Sequence, residues 1–345
     1  MKETSLMTNR TTLEDKPLIL LEDYPPLEWT LSRTVKSTIF GLIIILTILG
    51  NLLALWVFFR YRKQLRSPTH YFLANLALAD LFVGVFSLPY LAVFSVTLRW
   101  YFGREWCYYW TLGHYWFCSS SILSTLGVCI ERFVGVRNPL KHLSVMNKRT
   151  IFKMMAGIWI LAGMLSVGPF LIWLERPTND ALRCIINLTK GHVIVASVGI
   201  FHIPAGIMVV LYYLIYRAAT APLKTIGEST ASNQNTGAQR SKQVRLAKKL
   251  SFLVGFLIIS YLPMFTMLLI LGFDRNFIPL EVYLLAAWLR YFNSCANPIV
   301  YIFSAPGYKK AFKAMFYSDQ NPPRDGTNSS VYFSSNQNIR TTEDK

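Results

Sequence analysis

Seven long apolar runs alternate with short polar segments along this chain. The runs cover about residues 37–59, 69–93, 104–136, 151–174, 192–217, 245–271 and 279–303. Each is close to the length of about twenty residues that a helix needs to cross a bilayer. Because a backbone inside lipid must satisfy its own hydrogen bonds, and barrel-type alternation is not seen, each run is predicted to be a helix. We therefore predict an all-α membrane protein with a seven-transmembrane helix bundle.

Polar residues follow one face of the third run from end to end, and the chain is organised around this run. His114 and Arg132 are eighteen residues apart, which is five helical turns, so they share a face. At about 1.5 Å per residue they are separated by roughly 27 Å, nearly the thickness of a bilayer core. Other residues near this face are Cys118, Ser121, Thr125 and Cys129. Such a stripe must face protein or a cavity rather than lipid.

Composition supports the membrane assignment and orients the chain. Of the 345 residues, 53% are hydrophobic and 15% are charged, which is too apolar for an ordinary soluble protein. The net charge of +17 would suit nucleic acid, but the basic residues cluster after the first, third, fifth and seventh runs. This positive-inside pattern places those segments in the cytoplasm, against anionic lipid, and the N-terminus outside. A nucleic-acid partner is therefore not expected.

The segments between and beyond the spans carry further predictions. The polar start predicts no cleavable signal peptide, and the polar loop at about 218–244 is predicted to be mobile. Asn9 and Asn187 begin glycosylation sequons, which are usable on the outer side. The predicted divisions are an extracellular tail at 1–35, the seven-transmembrane domain at 36–304, an amphipathic helix on the inner leaflet at 305–317 and a disordered cytoplasmic tail at 318–345.

Motifs in all seven spans resemble the rhodopsin-like family of G-protein-coupled receptors over about residues 35–317. The matching residues are Gly50-Asn51, Leu76-Ala77-Leu78-Ala79-Asp80, Cys107, Glu131-Arg132-Phe133, Trp159, Pro204, Tyr212, Pro263 and Asn297-Pro298-Ile299-Val300-Tyr301. The resemblance implies a plasma-membrane receptor that couples an extracellular ligand to heterotrimeric G proteins, with arrestin and receptor kinases as further partners. It also implies a disulfide between Cys107 and Cys184. No metal or nucleophile constellation points to an enzyme.

At the cytoplasmic end, the resemblance assigns a switch to Arg132, which keeps its charge and pairs with Glu131 at rest. On activation this arginine would turn toward the G protein and toward Tyr212 and Tyr301. The alternative is a juxtamembrane charge that only sets topology. Many relatives have a second acid at the start of span six, but this chain has Gln243-Val244-Arg245. A weaker resting lock and raised basal signalling are therefore predicted. The remaining switch residues are Pro263, Asn297 and Pro298.

Asp80 is a carboxylate in the middle of span two, where a charge without a partner is costly. In the family, the matching residues that surround a sodium ion with it are Ser121, Asn293, Ser294 and Asn297. Oxygen ligands suit such a hard cation. The alternative is a water-filled polar network without a specific ion. No cofactor besides this allosteric sodium is expected.

Span seven resembles the biogenic-amine branch of the family through Trp288, Tyr291 and the Asn-Ser that follows. In that branch a span-three aspartate holds the ligand ammonium, whereas this chain has His114, and a mostly neutral imidazole cannot replace that counter-ion. His114 is either a packed, hydrogen-bonded residue or a ligand contact. The rest of the predicted pocket is mostly apolar and aromatic, as small-molecule sites are. It consists of Cys118, Ser197, Phe201, Tyr261, Met264, Phe265, Leu268, Trp288 and Tyr291.

Two accounts of Arg290 stay open. It lies one turn above Ser294 and two above Asn297, so it either reaches down to Asp80 and displaces sodium, or it points at a ligand with an acidic or strongly accepting group. In both, it would repel a cationic ligand.

The favoured function is a small-molecule receptor of amine-receptor-like type with an altered pocket. A neuropeptide receptor and a constitutively active receptor without a ligand are the alternatives. A transporter would show internal repeats, and a light receptor would need a span-seven lysine; neither feature is present.

Overall fold

The protein was analysed as a computed structural model, which describes residues 29–172, 184, 189–220, 230–273 and 278–317. Every regular element in these ranges is helical, which confirms the predicted class. The long helices are α1 (Leu31–Arg60), α2 (Pro68–Thr97), α3 (Arg104–Arg137), α4 (Lys148–Ile172), α5 (Lys190–Ile194, continued by Val195–His202 and Ile203–Thr220), α6 (Thr230–Phe273) and α7 (Leu280–Ser304), followed by α8 (Pro306–Tyr317). A short helix, His142–Val145, lies between α3 and α4.

Two boundaries differ from the predicted ones. Helix α1 begins at Leu31, inside the predicted tail, because the Thr30 side chain accepts a hydrogen bond from the Arg33 N–H at 3.3 Å and caps the helix. Helix α6 begins at Thr230, so the prediction of a mobile loop at 218–244 was wrong for residues 230–244. That stretch has no proline, and a helix that is already nucleated extends at little cost. Asn9, Asn187 and the tail at 318–345 lie outside the described residues.

Seven helices form the predicted membrane bundle. Helices α1 to α6 are each long and apolar enough to cross a membrane. Helix α7 has 25 residues but is more polar than α1 to α6, because it contains Arg290, Asn293 and Asn297. These three residues are buried on its inner side. The large apolar side chains that α7 exposes, as a lipid-facing surface would, include Leu285, Phe292, Ile299 and Phe303. The polar face of α7 therefore lines the bundle interior.

Helix α3 is the central helix of the bundle, as predicted. In its most apolar stretch 72% of the residues are buried, against 28% in α1 and in α4, and it packs against α2, α4, α5 and α6. One amide joins three of these helices: Asn75 of α2 donates to the Ser124 hydroxyl of α3 at 2.8 Å and accepts from the Trp159 indole of α4 at 3.0 Å. Small residues on α3 allow this close approach.

Proline shapes α2 and α5. Each helix contains a π-helical segment, Val83–Ser87 in α2 and Val195–His202 in α5. Both segments end two residues before a proline, Pro89 or Pro204. Because proline has no N–H and its ring crowds the preceding turn, the backbone rearranges there to satisfy its carbonyl groups. Pro263, by contrast, lies within an uninterrupted α-helical α6.

Helix α8 packs against the N-terminal end of α2. The Tyr308 ring is buried and its centroid lies 5.6 Å from that of His70, whereas Lys309 and Lys310 are exposed. This two-sided pattern is the amphipathic helix that was predicted. Gly307 makes the contact feasible, because a Cβ there would lie 2.6 Å from His70 Nε2.

The packing of α3 against α2 predicts the effect of a single side chain. A Cβ at Gly127 would lie 2.9 Å from the ring of Phe72, which is fully buried. We expect Gly127→Val to lower the free energy of unfolding by roughly 1–3 kcal/mol, the usual cost of overpacking. Thermal unfolding of the purified receptor in detergent would show this as a lower midpoint.

Gly157 provides the control, since a Cβ there meets no heavy atom within 4 Å. Gly157→Val makes the same change of helix propensity without the clash, so its midpoint should stay near that of the parent. Equal midpoints for the two variants would contradict the proposed close packing of α3 on α2.

Candidate functional site

A buried ion pair stands near the C-terminal end of α3. Glu131 and Arg132 are 0% and 1% exposed, so neither charge can be satisfied by bulk water. The arginine Nε donates to Glu131 Oε2 at 2.5 Å, and its Nη2 donates to the other carboxylate oxygen. This bidentate geometry is the strongest pairing that a guanidinium can form with a carboxylate. The predicted partnership of these neighbours is therefore present.

Glu131 also binds two residues that the sequence did not reveal. His142 Nε2 lies 2.8 Å from Glu131 Oε1, and the Thr69 hydroxyl donates to Oε2 at 3.1 Å. His142 comes from the short helix after α3 and Thr69 from the first turn of α2, and both are buried. The Glu131 carboxylate of α3 thus links α3 to α2 and to the short helix that follows α3. The only sequence signal was the presence of polar residues beside spans two and three.

Gln243 closes the contact between α3 and α6. Its side-chain carbonyl accepts a hydrogen bond from Arg132 Nη1 at 3.0 Å. The sequence has no acid at this position, and the neutral Gln243 amide makes the contact with Arg132 instead. Beside it lies a cavity of about 530 Å³, lined by Arg132, His142, Gln243 and residues from α2 and the start of α8. The arginine is therefore held in place at the wall of this cavity.

The two switch tyrosines do not contact Arg132 through hydrogen bonds in this conformation. The Tyr301 side chain is fully buried, Tyr212 is packed against the core, and neither hydroxyl has a partner among the described residues. A buried hydroxyl without a partner is costly. These two groups would therefore gain from a conformation that brings them a partner.

Asp80 is the centre of a second polar cluster, halfway through the bundle. Its Oδ1 accepts from Ser121 at 2.9 Å and from Ser294 at 2.7 Å, and its Oδ2 accepts from Asn297 at 2.7 Å. Three of the four predicted neighbours are thus in place. Asn293 is buried but makes no side-chain hydrogen bond in the described structure. The cluster joins α2, α3 and α7.

His114, at the outer end of the polar stripe, is a buried and hydrogen-bonded side chain. Its Nδ1 is hydrogen-bonded to the Tyr291 hydroxyl of α7, and the Cys118 thiol lies 4.0 Å from the same nitrogen. The Trp110 ring stacks over the imidazole with centroids 5.8 Å apart. His114 is therefore packed and hydrogen-bonded, and its Nε2 also lies 3.5 Å from the Tyr291 hydroxyl.

The predicted pocket wall is formed by aromatic side chains of α5, α6 and α7. Phe201, Tyr261 and Phe265 stack with interplanar angles of 10–17°, and the Trp288 indole donates to Ser95 at 3.0 Å. Ser197 donates its hydroxyl to the Phe265 carbonyl at 2.7 Å, so its proton already has a structural partner. The other buried members of the predicted wall are Cys118, Met264, Leu268 and Tyr291.

Arg290 is buried in this outer half of the bundle, with 3% of its surface exposed. Its guanidinium carbon lies 4.6 Å from the centre of the Tyr291 ring, and its Nε has no hydrogen-bond partner. No ion pair within 4.0 Å joins it to Asp80 or to another acid of the described ranges. Of the two accounts of this residue, contact with Asp80 is not the one the geometry favours.

A disulfide links Cys107 at the start of α3 to Cys184, with Cα atoms 5.5 Å apart. The pairing that the resemblance implied is therefore present. Such bonds persist in oxidising compartments, and this one lies at the end of α3 opposite Arg132. Cys118, Cys129 and Cys295 are free and buried, as packing residues are.

Comparison with known proteins places the chain among receptors. The family model described as 7 transmembrane receptor (rhodopsin family) matches residues 50–301. The Alpha-1A adrenergic receptor of Mus musculus is 31% identical over 324 residues, covering 84% of this chain and 69% of the relative. The Homo sapiens receptor of the same name is 30% identical over 323 residues, with the same coverage. The Alpha-1D adrenergic receptor of Sus scrofa is 30% identical over 309 residues, 78% of this chain and 54% of the relative.

The buried ion pair predicts a large stability effect. Glu131→Gln leaves Arg132 buried without its charge partner, and breaking a buried pair in this way costs about 3–5 kcal/mol. We expect the thermal midpoint of the purified receptor to fall by several degrees. Glu281→Gln is the matched control, because the Lys36–Glu281 pair spans 3.5 Å with the glutamate side chain 71% exposed. Exposed pairs contribute about 0–1 kcal/mol, so similar shifts in both variants would contradict the structural role of Glu131.

Proposed function

We propose that this chain, which belongs to the rhodopsin family of seven-transmembrane receptors, binds a small extracellular ligand in the outer half of α3, α5, α6 and α7 and signals at Arg132. It is a multi-pass plasma-membrane receptor related to the adrenergic receptors, coupled to G proteins as the family is, and it is not an enzyme. The finer points below are proposals about how it works.

The arrangement around Arg132 carries the proposal. A permanent cation is held against Glu131 and Gln243 at the edge of a cytoplasmic cavity. The bond to Gln243 is a single hydrogen bond to a neutral amide, so it is weaker than an ion pair with an acid. Moving the cytoplasmic end of α6 away from α3 would break this bond and open the cavity to the G protein.

Activation is proposed to be a shift between two populations. The ligand must bind the open form more tightly than the closed form, because equal binding shifts nothing. In the open form Arg132 would meet the hydroxyls of Tyr212 and Tyr301, which are buried without partners in the closed form. Arrestin and receptor kinases are proposed to use the same opened face. Basic residues of α8, Lys309 and Lys310, are proposed to lie against anionic lipid.

The chain is proposed to cross the membrane with its N-terminus outside. The Cys107–Cys184 disulfide supports an extracellular location for the start of α3. Lys36 near the start of α1 pairs with Glu281 at the start of α7, so both helices begin at one end of the bundle. An odd number of spans then places α8 in the cytoplasm.

Sodium is proposed to bind at Asp80 in the closed form. The available ligands are all oxygens: the Asp80 carboxylate, the hydroxyls of Ser121 and Ser294, and the unpartnered carbonyl of Asn293. Such a donor set suits a hard monovalent cation. The residues present therefore fit the ion, and its charge would stabilise the Asp80 carboxylate within the apolar bundle.

Because Gln243 holds Arg132 through a neutral amide, changing the charge of residue 243 should change basal activity in a graded way. Gln243→Glu should lower ligand-free nucleotide exchange severalfold, because it turns the Arg132 contact into an ion pair, and Gln243→Ala should raise it severalfold. The measurement is nucleotide exchange on a purified heterotrimeric G protein by the full-length receptor in lipid nanodiscs. Ser241→Ala, two residues earlier and exposed, controls for disturbance of α6. Basal exchange that does not fall in Gln243→Glu would contradict the lock.

The altered pocket predicts indifference to amines. Neither His114 nor Arg290 offers a negative charge to an ammonium, so biogenic amines should not activate the parent at micromolar concentrations. Combining His114→Asp with Arg290→Gly restores a carboxylate and removes the repelling cation. This double variant should gain an amine response in the exchange assay. A parent receptor that responds to amines as well as the double variant does would contradict the proposed pocket.

A further inference from the structure

The described residues contain only four acidic side chains, and each of them has a partner or faces solvent. Asp80 accepts three hydrogen bonds, Glu131 binds Arg132, Glu281 pairs with Lys36, and Glu105 is exposed. None of the four forms an ion pair with Arg290 within 4.0 Å. The buried guanidinium therefore lacks a counter-charge among the described residues.

The surroundings of Arg290 satisfy one face of the guanidinium but not its edge. The Tyr291 ring covers the face at 4.6 Å, a cation–π contact. The edge carries the N–H groups, and the Nε atom is buried without a partner. A buried charge without a partner is among the costliest features a protein can keep. The most direct explanation for a buried charge at Arg290 is that the ligand supplies the group that pairs with it.

Neighbouring side chains offer further donors at the same level of the bundle. The Tyr261 hydroxyl lies beside the Cys118 thiol, is fully buried, and has no nitrogen or oxygen partner in the described structure. His114 is close enough to Arg290 to feel its charge, and its Nδ1 is bonded to Tyr291. If Tyr291 donates that bond, the neutral imidazole carries its proton on Nε2. Histidine at position 114 then presents a donor where an aspartate would present an acceptor.

These three donors have the chemistry to recognise an anion, and aromatic rings surround them. We propose that Arg290 anchors the carboxylate of a small aromatic acid, with His114 and Tyr261 as further donors, so that the ligand of this receptor is an organic anion. The guanidinium edge matches a carboxylate through two parallel hydrogen bonds. The stacked rings of Phe201, Tyr261 and Phe265 would pack on its aromatic body. This inference rests on the proposed ligand site and identifies the class of molecule that fills it.

Matched compounds test the head group directly. Phenylacetate, 3-phenylpropionate and 4-phenylbutyrate vary the reach of the acid, while 3-phenylpropionamide and 3-phenylpropylamine keep the body and change the charge. We expect at least one carboxylate to raise the thermal midpoint of the full-length receptor in nanodiscs by several degrees. The amide and the amine should not. Chloride, varied at constant sodium concentration and constant ionic strength, tests whether an inorganic anion fills the site.

Variants then tie binding to Arg290. Arg290→Gln should weaken carboxylate binding roughly thirtyfold or more, as truncation of one partner in a buried charge pair does. Arg290→Lys keeps the charge but loses the two-pronged fit, so it should bind with intermediate affinity. Without any ligand, Arg290→Gln should raise the midpoint, because it removes an unpaired buried charge. A fall in that ligand-free midpoint would show that the arginine already has a partner, and would overturn the proposal.

A carboxylate built into the chain gives a test that needs no ligand. His114→Asp should raise the ligand-free midpoint by pairing with Arg290 and should abolish the carboxylate-induced shift. His114→Asn has nearly the same shape without the charge and should not raise the midpoint. Equal midpoints for the aspartate and asparagine variants would mean that position 114 and Arg290 do not share an anion site.

The outcomes separate this inference from the proposed function. The organic-anion proposal is overturned if no carboxylate shifts the midpoint, if the shift survives Arg290→Gln, or if only chloride shifts the midpoint. In each of these cases the proposed receptor function would still stand, provided that basal nucleotide exchange changes as expected in the Gln243 variants. If carboxylates bind through Arg290 but no variant or compound changes nucleotide exchange, the anion site stands and the signalling proposal fails.

Discussion

A charge buried in an apolar helix bundle must find its counterpart within the protein, and the architecture of this receptor follows from how that condition is met. Arg132 is the clearest case. It is almost fully buried, and among the described residues Glu131 is the acid that neutralises it. The same carboxylate binds Thr69 and His142, so one ion pair holds together α2, α3 and the short helix that follows α3. Removing the acid would therefore loosen three elements as well as expose a charge.

Three levels of the bundle meet this condition differently. At the end of the bundle that holds Arg132 the charge is paired, and its contact with α6 is a single hydrogen bond to a neutral amide. At the middle level donors from α3 and α7 hold the Asp80 carboxylate, which forms no ion pair within the described residues. At the outer level Arg290 has an aromatic ring but no acid in the described structure. We propose that a ligand or a partner protein acts where these contacts are weakest.

Much of this was predictable from the chain alone. The apolar runs, the basic loops and the ordered motifs identified seven helices, the membrane class, the Cys107–Cys184 pair and the receptor family. The predicted loop at 218–244 was wrong for residues 230–244, because polar composition was taken as a sign of mobility although helix α6 already begins at Thr230. The contacts of Gln243 and His142 were missed for a different reason. Their partners lie in other elements, and composition does not reveal which way a helix is rotated.

The sequence by itself determined the number of the spans, because hydropathy is a local property that does not depend on packing, and its loop charges predict their orientation. It also identified which residues carry unusual chemistry, since an arginine or aspartate within an apolar run is conspicuous in any fold. Only the tertiary structure decided their partners. The contact from Arg132 to Gln243 spans 111 positions and that from Glu131 to Thr69 spans 62. Helix rotation and tilt, which are set by packing between neighbours, bring these side chains together and leave Arg290 apart from Asp80.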